Sequence, residues 1–376
     1  MSAPASRAAS AADDHRFMTL ALSLGRRGLG GTWPNPAVGA VVVNNGEIIA
    51  RGWTQPGGRP HAEIEALRRA GAMARGGTVY VTLEPCSHHG KSPPCADAVV
   101  ASGIARVVSA MEDPNPKVAG RGHARLRSAE IAVDVGVEAA AARADHAGHI
   151  RRMRHGRPQV LLKLAVSADG KVAGGGRQRI AITGNAVRDR VHLLRTHTDA
   201  IMIGIGTALA DDPVLTCRLP GMVKLSPTRV VLDTSLRLPM QSRLLETARE
   251  TPLWVIAAET APAAAEAAMR ARGAEVMRVA GKEGRLDLAE VVKLLASRGV
   301  TRLMIEGGPT VASALIEADL IDEAIFFHAQ MVIGKDGVPT LQPRAFAMLE
   351  RHLKRISSEA VGPDRQETYQ RESRDV

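Results

Sequence analysis

The chain has 376 residues, 45% of them apolar and only 2% aromatic, with a formal net charge of +10. That length suits two domains of roughly 100–200 residues each, and cores short of aromatics must be built from Ala, Val, Leu and Ile, which points to an α/β protein. No apolar run reaches the roughly 18–20 residues of a membrane helix, and three cysteines in so long a chain fit a reducing compartment better than a disulfide scaffold.

Residues 1–14 are Ala/Ser-rich and lack the apolar block of a secretory signal, so a disordered tail is expected there. The first half proper then runs over 15–150. The stretch 38-VGAVVVNNGEIIARGW-53 predicts a hairpin turning at Asn45–Gly46. A helix follows at 62–74, with Ile64, Leu67 and Ala70 on one face. Next come a strand at 78–84, a cysteine-bearing loop, a helix near 96–103 and a strand at 104–111. The segment 139–158 reads as a helix closed by Gly156 and Pro158, and it marks the domain boundary.

The second half, 157–376, opens with a strand at 159–167. Further strands are expected at 199–205, 229–234, 253–258, 302–307 and 324–333. Helical patterns near 186–196, 262–272, 287–298 and 310–318 alternate with them, as in a sheet covered by helices. There is no internal repeat.

The basic run 151-RRMRHGR-157 reads as a solvated linker face. Single-strand nucleic-acid binders stack bases on aromatic side chains, and these are scarce here, so the positive charge fits a phosphorylated metabolite better than a polymer. No nucleic-acid or membrane partner is expected.

The loop 83-LEPCSHHGKSPPC-95 holds two of the three cysteines. With His61 upstream, Cys86 and Cys95 make three zinc ligands and leave a fourth position for water, the layout of a catalytic site. Glu63, two residues after His61 at the start of a helix, leans back toward the same ion. Cys86 also precedes a helical stretch, whose N-terminal field favours thiolate. The order H-x-E then P-C…C is the signature of zinc-dependent base deaminases, although its usual spacing is P-C-x-x-C. A closed Cys₂His₂ structural site completed by His88 or His89 is the competing arrangement.

The segments 33-WPNPAVGAVVV-43, 61-HAE-63, 82-TLEPCSHHGKSPPC-95 and 113-DPNPKVAGRG-122 together resemble the deaminase half of the bifunctional riboflavin-biosynthesis family, in which a pyrimidine deaminase is fused to a reductase. That family has the long PC…PPC loop. The resemblance implies a cytidine-deaminase-like three-layer α/β domain, one Zn²⁺ per chain on His61, Cys86 and Cys95, and Glu63 as proton shuttle. It implies a diamino-hydroxy-pyrimidine substrate bearing ribosylamine 5′-phosphate, with Asn35, His88 and Lys91 as candidate contacts. Asn35 is equally readable as an Asx-turn that only shapes its loop, and Lys91 as a solvated loop lysine.

In the second half, Gly204-Ile205-Gly206 starts like a dinucleotide fingerprint, but Leu209 stands where the third glycine belongs, so packing explains it as well. The run 306-EGGPTVASAL-315 reads as strand, glycines and helix start, a potential anion cradle. The segments 163-KLAVSADGKVA-173, 192-HLLRTHTDAIMIGIGTALADDPVLTCR-218 and 305-IEGGPT-310 resemble the reductase half of the same family. That implies a dihydrofolate-reductase-like α/β domain using NADPH to reduce the ribosyl group to ribityl. By the same resemblance Ala165, Ala181, Thr207, Asp211, Thr234 and the loop of Gly308, Pro309, Thr310, Val311, Ala312, Ser313 and Ala314 contact NADPH. Arg179, Arg195, Leu215, Arg218 and Glu306 contact substrate, and Lys163 is placed near the sugar or toward solvent. The chain departs from its relatives at 181-AIT-183, where they often carry Trp. Cys217 reads as a packed or loosely exposed thiol without a redox role. A cytoplasmic homo-oligomer is expected.

Overall fold

The computed structural model describes residues 10–88, 93–116, 118–178, 180–282 and 284–371. The chain divides into two compact units, Met1–Gly156 and Arg157–Val376.

The first unit starts earlier than its composition suggests. Ser10 caps helix α1 (Ala11–Arg26) in a capping box with Asp13, so Ala11 to Asp14 are helical and the expected tail is corrected there. The box satisfies two of the helix's orphan N–H groups, and an Ala/Ser-rich composition hides it. Strands β1 (Gly39–Asn44) and β2 (Glu47–Trp53) form the predicted hairpin. Its two turn residues have positive φ, 51° at Asn45 and 80° at Gly46, as a two-residue turn of this type needs. Helix α2 (Ala62–Ala70), strand β3 (Thr78–Val81), helix α3 (Cys95–Ala101), strand β4 (Arg106–Ser109), helix α4 (Arg121–Arg127), strand β5 (Ala132–Val135) and helices α5 (Ala139–Asp145) and α6 (Ala147–His155) complete it. The expected single helix over 139–158 is therefore two, broken at His146, whose imidazole bonds Thr82 (3.1 Å).

The sheet runs β2-β1-β3-β4-β5, antiparallel at the hairpin side and parallel over β3-β4-β5. In the hairpin register Gly39 pairs with Trp53 and Ala40 with Gly52. Neighbouring pairs face opposite sides of a sheet. A Cβ on Gly39 would meet the Ala21 carbonyl of α1 at 1.8 Å, and one on Gly52 the Ala62 carbonyl of α2 at 2.3 Å. The two helices thus sit against opposite faces, giving three layers. Phe17, Met18, Ala21 and Leu22 of α1 and Ala62, Ala66 and Leu67 of α2 are buried there against Val41, Val42 and Val81. Full burial of each large side chain is worth about 1.5–3 kcal/mol. Gly52 matters for function, because the close approach it allows fixes the start of α2, where His61 and Glu63 stand.

The second unit contains β6 (Gln159–Val166), β7 (Lys171–Ala173), α7 (Asn185–Thr196), β8 (Ala200–Gly204), α8 (Ile205–Asp211), β9 (Thr228–Leu232), α9 (Arg243–Glu246), β10 (Leu253–Ala258), α10 (Ala263–Ala271) and β11 (Glu275–Val279). It continues with β12 (Gly281–Lys282), β13 (Arg285–Leu286), α11 (Leu288–Ser297), β14 (Arg302–Glu306), α12 (Pro309–Glu317), β15 (Glu323–His328), β16 (Val338–Pro339), α13 (Pro343–His352), β17 (Leu353–Val361) and β18 (Asp364–Arg371). The main sheet has the order β11-β10-β9-β8-β14-β6-β15-β18-β17. Its first seven strands are parallel and the last two antiparallel. The chain leaves β6 for β8, works outward to β11, then returns to insert β14 between β8 and β6. Such a reversal opens a crevice at the carboxyl ends of the strands. The expected strand over 324–333 stops at His328, and the C-terminal hairpin lies beyond the sequence reading.

Candidate active sites

In the first unit the three proposed ligand residues meet. The His61 Nδ1, Cys86 Sγ and Cys95 Sγ atoms all lie within 4.8 Å of one another. Nδ1 is 3.3 Å from Cys95 Sγ and 3.7 Å from Cys86 Sγ. A tetrahedral zinc at about 2.3 Å from sulfur and 2.0–2.1 Å from nitrogen spaces neighbouring ligands roughly 3.5–3.8 Å apart, so the donor set fits that ion. His88 is exposed and outside this cluster; His89 and Lys91 lie outside the described residues.

The local elements explain the convergence. His61 is the N-cap of α2, and Glu63 follows in its first turn. Cys95, not Cys86, opens a helix, which corrects the expected placement. Cys86 still feels a helix start, because its sulfur accepts the Cys95 backbone N–H at 3.3 Å. The Cys95 thiol, and after it the His61 ring and that backbone bond, hold the Cys86 thiol down at about 4 against its burial, while the Cys95 thiol, hydrogen-bonded to Cys86, is pushed up. Glu63 is only 3% exposed. Burial drives its carboxyl up to about 7 against the opposing pull of His61.

Glu84, quoted in the loop but given no role by sequence, proves to be the pin of this site. Its buried carboxylate accepts backbone N–H bonds from Asp113 (3.0 Å), Gly120 (3.0 Å), Gly122 (2.7 Å) and His123 (3.3 Å). Asp113, Gly120, Gly122 and His123 are thereby clamped beside Glu84, with Gly122 against the Pro85 carbonyl. Gly122 is obligatory, since a Cβ there would meet the Pro85 carbonyl at 2.0 Å. Asn35 makes no Asx-turn: its Nδ2 donates to the Gly58 carbonyl (2.8 Å), tying its loop to the approach of His61.

In the second unit a cavity of about 560 Å³ opens at the carboxyl ends of β6, β8 and β14, within the range of small-molecule sites. Of the residues expected at the cofactor, Ala165, Ala181, Thr207 and Asp211 line it, as do Gly308, Pro309, Thr310 and Val311. Thr207 Oγ1 accepts the Gly308 N–H (2.9 Å) and holds the loop that starts α12. Gly307 there has φ 126°, a conformation glycine favours. Ala312 is fully buried, Ser313 Oγ accepts the Gln342 N–H (3.1 Å), and neither these nor Ala314 line the cavity. Thr234 also lies off the cavity, its carbonyl bonded to the Ala258 N–H (3.1 Å). A Cβ on Gly204 would strike Val311 at 2.7 Å, so that glycine answers to strand–helix packing.

Of the residues expected at the substrate, Lys163, Arg195, Leu215, Arg218 and Glu306 line the same cavity, and Arg179 lies outside the described residues. Lys163 and Glu306 are register partners on β6 and β14, which puts both on one face of the sheet. Arg195 is not poised for a ligand. Its Nε and Nη2 each donate to Glu306 at 2.8 Å, and Nη1 donates to the Thr216 carbonyl at 2.9 Å. Burial pushes the Glu306 carboxyl up, but Arg195, with help from Lys163, holds it at about 2. Burial pulls the Lys163 ammonium down. Arg188 and His192 also line the cavity and were missed by the sequence reading. The signal existed: 188, 191, 192 and 195 share one face of α7. Cys217 is fully buried.

A three-layer unit with a His/Cys/Cys cluster beside a buried glutamate, joined to a parallel-sheet unit with a crevice at its switch point, defines a fusion of a zinc-type deaminase with a nucleotide-dependent reductase. Residues 11–111 match the cytidine and deoxycytidylate deaminase zinc-binding region, and 158–366 match the RibD C-terminal domain. The chain is 41% identical over 334 residues to riboflavin biosynthesis protein RibD of Escherichia coli, covering 86% of this chain and 89% of that one. It is 39% identical over 351 residues to the Bacillus amyloliquefaciens protein, covering 93% and 94%. The solved structure of Acinetobacter baumannii RibD superposes with a TM-score of 0.87 at 33% identity, covering 97% of this chain and 100% of that one. A Thermotoga maritima structure, titled a diaminohydroxyphosphoribosylaminopyrimidine deaminase/5-amino-6-(5-phosphoribosylamino)uracil reductase, gives 0.82 at 32% identity, covering 96% and 99%. The chain belongs to the RibD family of riboflavin biosynthesis proteins and is a bifunctional enzyme, a zinc-dependent deaminase followed by a reductase with a dihydrofolate-reductase-like fold.

Proposed function

We propose that the first unit hydrolytically deaminates a diamino-hydroxy-pyrimidine carrying ribosylamine 5′-phosphate, and that the second reduces the ribosyl group of the product with NADPH. The observation that carries the deaminase half is the cluster of His61, Cys86 and Cys95 with the buried Glu63 beside it. Those three residues hold the zinc, which when bound supplies Lewis acidity toward water. Glu63 takes a proton from the attacking water and passes it to the ring nitrogen; it then takes the hydroxyl proton of the tetrahedral adduct and delivers it to the amino group, which leaves as ammonia as the carbonyl forms. Burial, which raises this carboxyl, suits a group that both takes and returns a proton. Asn35 offers its Oδ1 to the substrate, with His88 as a further candidate contact and Lys91 as the candidate for the phosphate.

In the second unit the NADPH, when bound, supplies a hydride. The start of α12 offers the backbone N–H groups of Thr310 and Val311 to its phosphates, with Ala165, Ala181 and Asp211 as walls. Lys163 and Glu306 face the sugar, and Arg218 the substrate phosphate. Thr234, Ala312, Ser313 and Ala314 shape this region from behind the surface. The working protein is taken to be a cytoplasmic homo-oligomer acting on phosphorylated pyrimidines rather than nucleic acid; among the described residues no helix is long and apolar enough to cross a membrane.

The test is one incubation with the diamino-pyrimidine phosphate and NADPH, following ammonia and NADPH absorbance together. Ammonia release should come first, with NADPH oxidation following as deaminated product accumulates. Zinc-loaded protein that binds the pyrimidine yet releases no ammonia would overturn the proposal.

A further inference from the structure

Between β15 and α13 the chain runs along one side of the reductase cavity. Val338 of β16 and Val172 and Ala173 of β7 line that cavity. These two strands form a ribbon of their own beside the main sheet, with Val338 opposite Ala173 and Pro339 opposite Lys171. A Cβ on Gly174, just past β7, would meet Ile180 Cδ1 at 2.9 Å, so the ribbon adjoins the Ile180 and Ala181 wall of the same cavity. None of the apolar side chains from Met331 to Pro339 belongs to the buried core, and Val332 is 68% exposed. A segment with so few buried apolar contacts has little local stability of its own, so its place depends on polar ties.

Those ties converge on one loop. The Ala168 N–H donates to the Met331 carbonyl (2.8 Å), and Thr340 donates twice to the Gly170 carbonyl, from its N–H (3.1 Å) and its hydroxyl (2.8 Å). Between them stands Asp169. Its Oδ1 accepts the Ile333 N–H (3.0 Å) and its Oδ2 the Gly334 N–H (2.8 Å), across 164 and 165 residues of chain. Successive backbone N–H groups converging on one anion make a nest, here filled by the protein's own carboxylate. The Ser167 hydroxyl donates to the same Oδ1 (2.7 Å) and accepts the Lys171 N–H (2.9 Å), which joins the carboxylate to the start of β7. The Ser167 hydroxyl and the two N–H groups hold the Asp169 carboxyl down at about 2, so it stays charged at any working pH. Asp169 thus brings charge to these ties, and hydrogen bonds to a charged group are the stronger kind.

We propose that Asp169 is a positioning residue of the reductase, holding the 331–340 strap against β7 so that Val338 closes the cofactor side of the cavity. This rests on the reductase reading above, in which Ala165 and Ala181 wall the cofactor. The ribbon lies between those two walls, because the Ser167 N–H donates to the Lys171 carbonyl (2.9 Å) where β6 passes into β7. Asp169 does not line the cavity itself and acts through the strap. A wall that keeps its place only a fraction of the time weakens binding by that fraction.

Asp169→Ala and Asp169→Asn would be compared with the unaltered full-length protein. Hydrogen exchange on peptides covering 331–340 reads the strap, calorimetry with NADP⁺ reads the cofactor site without turnover, and reduction of the deaminated phosphorylated pyrimidine separates KM from kcat. In Asp169→Ala the strap should exchange faster, and Kd for NADP⁺ and KM for NADPH should rise about three- to tenfold. The kcat at saturating NADPH and the KM for the pyrimidine should stay within about twofold. Asp169→Asn keeps one acceptor oxygen and should fall in between. Thr340→Val removes the hydroxyl bond at the other end of the strap; it should weaken NADP⁺ in the same direction, and it carries the test if Asp169→Ala does not fold. Faster exchange with unchanged NADP⁺ binding would overturn the proposal and leave the reductase reading intact. A raised KM for the pyrimidine alone would place the strap on the substrate and overturn it too. Unaltered protein that binds no NADP⁺ would sink the reductase reading, and the proposal with it.

Discussion

Replacing Arg195 by Met should damage the second unit through Glu306. The two side chains are about 10% exposed and joined by two bonds of 2.8 Å. Despite its burial, Glu306 is held at about 2 against an ordinary value of 4.5, chiefly by the Arg195 charge. Removing one partner of a buried ion pair costs about 3–5 kcal/mol. Because the folded value lies below the unfolded one, this stabilisation is fully present above pH 4.5 and is lost as pH falls toward 2. In Arg195→Met the burial effect is left opposed only by weaker neighbours, the carboxyl climbs, and the stabilisation is already missing in neutral solution. For a unit of this size about 3 kcal/mol is a fall of about 6–12 °C in Tm. Thermal unfolding of the full-length chain, with hydrogen exchange read on peptides from α7 and β14, would measure it. The gap from the unaltered protein should shrink as pH is lowered from neutral to about 3, and the double variant Arg195→Met with Glu306→Leu should recover most of the loss. Unchanged stability with a tenfold higher KM for the phosphorylated substrate would refute the reasoning and make Arg195 a substrate ligand.

The unaltered chain should carry about one zinc per monomer and Cys95→Ser should remove it; metal retained in this variant, measured by atomic absorption, would mean His88 or His89 supplies a ligand. Glu63→Gln should keep the zinc and slow deamination by about 10²–10⁴-fold, while NADPH oxidation with the already deaminated compound continues at the normal rate; loss of that second activity would show that the units form one composite site. Gly122→Ala must push the Pro85 carbonyl away from 2.0 Å, so zinc affinity and deamination should fall while reduction persists, at a stability cost of about 1–3 kcal/mol; wild-type zinc affinity would show that Glu84 and its clamped segment do not position Cys86.

Local patterns carried most of the fold. The Asn45–Gly46 turn and the alternation of strands with helices are short-range signals, and the structure has both; the helix expected over 62–74 ends at Ala70 and leaves Ile64 only half-buried. What escaped had no local signature. The Ser10–Asp13 box sits in a composition that resembles a tail. Strand β17 is exposed from Lys354 to Ala360, so it has no alternating apolar face to read. In the sites, residue type and spacing located His61, Glu63, Cys86 and Cys95, because metal ligands are few in kind. Residue type alone said nothing about which arginine is occupied. Glu306 and Arg195 are 111 residues apart, and only their contact shows that one neutralises the other.

Three buried glutamates show how the same side chain is put to different uses. Glu84 has its oxygens taken up by four backbone N–H groups, and a carboxylate so held organises a loop. Glu306 is locked to a guanidinium and stays charged down to about 2. In the proposed reduction it is suited to orient the sugar and balance Lys163. Glu63 alone of the three has neither a guanidinium nor a set of backbone donors, and burial leaves it at about 7. Hydrolytic deamination requires one group to take a proton and return it within a turnover, and efficient exchange needs a value near the working pH. In the first turn of α2, beside the three ligand atoms and away from any arginine pair, that glutamate suits the proposed role of shuttle rather than strut.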